Sequence, residues 1–209
     1  MADYYRDTRA FLRASLHPDG YRDAQHGDGL RKTVAKGVHV TALMSGIWHH
    51  LSYTSGLRFD VLNKALISGA SNAGWPDRHI GMFRLWLWGL FWEDERHFYL
   101  AQEDISPGSP SGIIATQEEI REHLLAEEAR LSALADLETA VAYACDKRLF
   151  RHLGPFMIPI AAKITNNRVL WDWSVPYFSA VVAAENETKL PINRRDYSGL
   201  IRAIDALPL

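Results

Sequence analysis

At 209 residues, with 47% hydrophobic and 23% charged side chains, the chain has the composition of an ordinary globular protein and is long enough to bury a core within one domain. Lysine and arginine number 23 against 25 aspartate and glutamate, a formal charge of -2, so bulk electrostatics disfavour a nucleic-acid partner. The single cysteine, Cys145, excludes an internal disulfide and leaves no CxxC zinc spacing, which fits a reducing compartment.

The opening "MADYYRDTRAFLR" is charged and lacks the apolar stretch of a signal peptide, so a cytoplasmic protein is expected. Helical spacing of Tyr4, Thr8, Phe11, Leu12 and Leu16 predicts a first helix over 3–16, ended by the turn residues Pro18, Asp19 and Gly20. A second helix is predicted over 29–54, with Leu43, Met44, Ile47, Trp48 and Leu51 as its core stripe. Beside that stripe His39, Ala42, Gly46, His49 and Tyr53 alternate small and ring-bearing side chains along one edge. Such an edge suits either close helix packing or a flat ligand, which makes His39, His49 and Tyr53 candidate cofactor contacts.

A third helix follows over 57–69, carried by Phe59, Leu62, Leu66 and Ile67, and "SGASNAGWPD" then breaks the chain before Asp77 caps a helix over 79–104. "EDISPGSPSGII" reads as a long connection. Thr116 and Glu119 form a capping box that opens a predicted helix over 117–150, stopped by Gly154 and Pro155. Short broken helices are expected over 155–173, then helices over 175–187, capped by Ser174, and over 196–206, begun by Asp196. About six to eight helices, with no strand alternation and no repeat, predict an all-α fold: a single-domain multi-helix bundle over 1–209. The longest apolar runs, "VHVTALMSGIW" and "LWLWGLFW", fall short of the roughly 20 residues of a membrane span.

Within "FWEDERHFYL", Glu93 and His97 stand four residues apart on a helix face shared with Met82, Trp86, Leu90 and Leu100. A carboxylate on an apolar stripe requires a hydrogen bond, an opposite charge or a metal. The pair therefore suits a structural hydrogen bond, a carboxylate orienting a catalytic histidine, or two ligands of a transition metal completed by His49 or His50. Glu128 and Glu138, bordering the apolar side of the 117–150 helix, are further candidate partners. Glu119 and His123 repeat the spacing, but the capping box already accounts for Glu119. Cys145 reads as a core thiol.

No phosphate loop, HExxH or GxSxG occurs. Two functions remain open. One is a small soluble enzyme whose interior holds Glu93 and His97, with a metal or metal-containing cofactor, and acts by a redox or hydrolytic step on a small apolar molecule. The other is a non-enzymatic subunit or adaptor, a homo-oligomer or member of a larger complex, whose aromatic-rich 82–92 helix is covered by another chain.

Overall fold

The computed structural model describes residues 3–23, 29–76, 90–92, 95–149, 154–187 and 196–208. In chain order the elements are α1 (Tyr4–Leu16), β1 (Arg22–Asp23), β2 (Gly29–Ala35), β3 (Val38–Ile47), β4 (His50–Phe59), α2 (Asp60–Asn72), β5 (Phe91–Trp92), β6 (Arg96–Tyr99), a 3-10 turn (Gln102–Asp104), β7 (Ile113–Ile114), α3 (Gln117–Ser132), α4 (Leu137–Asp146), α5 (Gly154–Ile164), α6 (Arg168–Glu187) and α7 (Tyr197–Asp205). A mixed sheet accompanies the helices, so the chain belongs to the α/β class and the all-α bundle is overturned. Two compact units are present, Met1–Arg58 with Trp92–Ala135 and Phe59–Phe91 with Asp136–Leu209.

The sharpest departure lies at 29–54, where three strands replace the expected helix. Thr33, Val34, Val38, Val40 and Thr41 are β-branched and favour a pleated, half-buried surface. Lys36 and Gly37 close the β2–β3 hairpin, with Gly37 at φ 72, where a side chain would be strained. Trp48 and His49 turn β3 into β4. The helical spacing of Leu43, Met44, Ile47, Trp48 and Leu51 is a coincidence of composition: Met44 and Leu51 are buried, whereas Leu43, Ile47 and Trp48 are exposed.

In the first unit the strands run in the order β1-β2-β3-β4-β6-β7. The β1–β2, β2–β3 and β4–β6 pairs are antiparallel, and β6–β7 is parallel. The side chains of Ala42, Met44, Leu51, Tyr53 and Phe98 form one core with Leu12 and Leu16 of α1 and Ile120 and Leu124 of α3. Both helices thus lie on one face of the sheet. Asp3 caps α1 by accepting from the Arg6 amide, and Tyr4, Thr8, Leu12 and Leu16 make its buried stripe, as the sequence predicts.

The capping box at α3 is present: the Thr116 hydroxyl accepts from the Glu119 amide at 3.3 Å, and the Glu119 carboxylate accepts from the Thr116 amide at 2.7 Å. The predicted 117–150 helix is instead two. Asp136 accepts from the Thr139 amide at 2.9 Å and so starts α4 afresh. Of the predicted 79–104 helix, residues 79–89 and 93–94 lie outside those described, so Met82, Trp86, Glu93 and most of the 82–92 interface cannot be placed. Residues 96–99 form the strand β6, which removes the i, i+4 geometry on which the Glu93/His97 pairing rests.

The second unit is built from α2 and α4 to α7, with β5 at its boundary. Every residue of α5 from Gly154 to Ala162 is buried, the pattern of a helix surrounded on all sides. Pro159 within it has no N–H, which leaves the Pro155 carbonyl without its helical donor. Tyr197, the first residue of α7, donates its hydroxyl to that carbonyl at 2.6 Å, fully buried. Asn167 accepts from the Leu170 amide at 2.9 Å and starts α6 at Arg168, so Ser174 and Pro176 lie inside this helix rather than at its start. Asp196 caps α7 as expected, accepting from the Gly199 amide at 2.8 Å. Among the described residues no helix is long and apolar enough to cross a membrane.

Replacing Tyr197 by Phe leaves a buried carbonyl unpaired and should lower unfolding stability by about 1–3 kcal/mol in urea titrations. In a Pro159→Ala background the new amide can take over the Pro155 carbonyl, so the same Tyr197→Phe change should cost measurably less. Equal costs in both backgrounds would disprove the substitution of one donor for the other.

Candidate functional site

Side chains alternate across a strand, so residues pointing away from α1 and α3 share the second face of the sheet. The β4–β6 register pairs His50 with Tyr99 and Ser52 with His97 on that face, while Leu51 and Phe98 point to the core. Ser45 of β3 joins them, its hydroxyl 2.8 Å from that of Ser52.

The histidines are in direct contact. Nε2 of His50 lies 3.0 Å from Nδ1 of His97, and their rings are near parallel, with centroids 5.2 Å apart. Tyr99 continues the row, its ring 4.9 Å from that of His50, and its hydroxyl donates to the Pro110 carbonyl at 3.0 Å. Gly112 lies beneath the Tyr99 ring: a Cβ there would fall 2.5 Å from a ring carbon and 2.7 Å from the His97 carbonyl oxygen. The connection after β6 is thereby closed down onto the Tyr99 ring.

Ser52 donates to the Glu95 carboxylate in a close contact, and Ser45 can donate in turn to Ser52. A hydroxyl–hydroxyl–carboxylate chain therefore borders the imidazole pair. Burial holds the His50 imidazole below its usual range because it disfavours the charged form; the facing His97 adds to the effect and Glu95 partly opposes it. Both histidines are half-buried, so solvent reaches the pair.

The other candidates are dispersed. His39 is buried and bonded to the Thr33 hydroxyl through Nδ1 at 3.0 Å. His49 occupies the β3–β4 turn, with Nδ1 3.4 Å from Asp104. Tyr53 points to the opposite, core face and stacks on Phe98 at 5.6 Å; burial raises its phenol pKa. His39, His49 and Tyr53 thus form no common edge, because a strand separates neighbours that a helix would align. Glu128 is paired with Lys32 at 2.7 Å, and Glu138 is exposed in the first turn of α4. The His123 ring lies against Phe98, with centroids 5.5 Å apart. Cys145 is half-buried in α4, and burial pushes its thiol up.

Of the expected metal set Glu93, His97, His49 and His50, only the pairing of His50 with His97 is seen, and Glu93 lies outside the described residues. Among the described residues no group of three or more histidine, cysteine or acidic side chains could hold a metal, so the metal-binding expectation is corrected. His49 is directed to Asp104 instead. Sequence spacing missed Ser45, Ser52, Glu95 and Tyr99, although the alternations His50-x-Ser52 and His97-x-Tyr99 place each pair on one strand face.

Because the folded-state pKa of His50 is depressed, the unfolded chain takes up the proton first as pH falls, and folded stability declines on the acid side of about 6.5. The urea midpoint of His50→Gln should therefore fall less steeply between pH 7 and pH 5 than that of the parent; identical slopes would contradict the depressed pKa. Gly112→Ala should cost roughly 1–3 kcal/mol in the same measurement, since backbone and ring both block the added methyl. No protein-family model, curated protein or solved structure matches this chain.

Proposed function

We propose that the sheet face bearing His50 and His97 is an acid–base site, and that the protein is a small enzyme moving a proton on a small, largely apolar molecule. The 3.0 Å approach of the two imidazoles is the observation that supports it. When both rings are neutral, one donates across this contact and the other accepts. The outward nitrogens, Nδ1 of His50 and Nε2 of His97, then always differ, one bare and one carrying a proton. A substrate proton taken up at the bare nitrogen is matched by one released at the other, while the shared proton shifts between the rings. The depressed pKa of His50 favours this neutral state near pH 7.

The surroundings suit the substrate class. Leu43 and Ile47 share the face of Ser45 by strand alternation, with Ile47 73% exposed, and Trp48 at the turn is 65% exposed. They offer an apolar bed beside the polar row of Ser45, Ser52 and Glu95, where a carbonyl or hydroxyl of the substrate would be oriented.

Proton transfer can be read without knowing the natural substrate. The protein is incubated in deuterium oxide with a panel of enolisable ketones and aldehydes, and α-carbon deuterium is followed by NMR. A chromogenic ester panel runs alongside. Exchange or turnover should fall by about a hundredfold or more in His97→Gln with the circular dichroism spectrum retained, and its pH profile should move in His50→Gln. Activity that persists unchanged in His97→Gln would overturn the assignment. So would a panel in which no compound reacts and none shifts the His50 or His97 resonances.

A further inference from the structure

The hydrogen bonds of Ser45, Ser52 and Glu95 have a direction as well as an order. A hydroxyl carries one proton and two lone pairs, whereas a carboxylate only accepts. Ser52 is 1% exposed, and its hydroxyl donates to the Glu95 carboxylate in a close contact. The Ser45 carbonyl, a second acceptor for that hydroxyl, stands at 3.5 Å and is a far weaker alternative. With its proton committed to Glu95, the buried Ser52 oxygen meets the Ser45 hydroxyl at 2.8 Å as an acceptor, so Ser45 is the donor across that contact. The chain therefore runs from Ser45 through Ser52 to Glu95.

Ser45 is exposed, and its one proton is directed inward. Toward a bound molecule it presents lone pairs alone. A ligand group that meets Ser45 has to donate, as a hydroxyl does, whereas a carbonyl or ether oxygen there sets two acceptors against one another. Ser45, Ser52 and His97 lie in one row across β3, β4 and β6, because Ser52 bonds to Ser45 on one side and pairs with His97 on the other. Two strand spacings, about 10 Å, separate the backbones at the ends of that row. In a small molecule bridging it, the hydroxyl at Ser45 and the carbon beneath the imidazoles are within a few bonds of each other.

We propose that the substrate of the acid–base site is an α-hydroxy ketone or aldehyde whose hydroxyl donates to Ser45, and that Glu95 is the positioning residue that makes Ser45 an acceptor. This rests on the proton-transfer reading of His50 and His97 and selects among its substrates. The α proton leaves for the bare imidazole nitrogen and a solvent-derived one returns to the same carbon from the pair, so the exchange consumes nothing else.

Hydroxyacetone and methoxyacetone differ in whether that oxygen can donate. Deuterium exchange at the carbon between oxygen and carbonyl is followed by NMR for both, and the ratio of kcat/KM is divided by the ratio of rates in imidazole buffer, which removes their intrinsic difference in acidity. The protein should favour hydroxyacetone by about tenfold or more. Ser45→Ala should return the preference to the buffer value, and Ser45→Thr, which keeps a hydroxyl, should retain it. Glu95→Lys tests the polarity: an ammonium only donates, so Ser52 accepts from it and donates to Ser45, whose own proton turns outward. The preference should then move to methoxyacetone, an outcome that structural damage does not produce. A protein that exchanges both ketones in the buffer ratio, with exchange still lost in His97→Gln, would overturn this inference and leave the acid–base reading standing. A preference unchanged in Ser45→Ala or in Glu95→Lys would do the same, as would no exchange of hydroxyacetone at all. Where no carbonyl compound reacts or shifts the His50 and His97 resonances, the acid–base reading falls with it.

Discussion

The pairing of β4 with β6 fixes almost everything else in the first unit. His50 faces Tyr99 and Ser52 faces His97, while the intervening Leu51 and Phe98 join the core under α1 and α3. A slip of one residue would exchange the two sets, sending imidazoles into an apolar core and a phenylalanine to the polar face. The free energy of burying Phe98, Leu51 and Tyr53 therefore specifies where the histidines stand. The site is a by-product of core packing in this sense: the same strands that hide their apolar side chains have no other direction in which to turn the polar ones.

That arrangement also explains why the two imidazoles stand as a pair. An isolated half-buried imidazole would lose hydration without compensation. Placed on neighbouring strands, His50 and His97 satisfy one another, and Ser45, Ser52 and Glu95 form a second bonded chain beside them. Tyr99 closes the row, anchored through Pro110 and seated on Gly112. The polar groups of this face are thus held by one another rather than by solvent alone.

Helix ends were the most legible features in the sequence, because a cap is a local interaction between residues three apart. Thr116 with Glu119, and Asp196, do what their spacing implies. The sheet was illegible for the complementary reason. In the first half of β3 and along most of β4 both faces are largely buried, and in the second half of β3 the exposed face itself carries Leu43 and Ile47, so the apolar–polar alternation that announces a strand is blurred. Leu43, Met44, Ile47, Trp48 and Leu51 then imitate a helical stripe by chance. The residues of the site lie in between: the sequence singles out His97 and His50, but helical spacing gives them the wrong neighbours. The leucines and alanines around Asp136 suit a helix interior, and its capping role depends on a break that propensity alone does not reveal.

The bond between Tyr197 and the Pro155 carbonyl joins residues 42 positions apart and is buried within the second unit. Until Tyr197 arrives, the first turn of α5 carries an unsatisfied carbonyl in the most apolar helix of that unit. Emerging from a ribosome, residues 154–164 would thus have to wait for Tyr197 before their helix could be buried at low cost. The first unit waits too, since its sheet is completed only by residues 96–114. Helix α7 accordingly acts as the closing element for a helix laid down earlier in the chain.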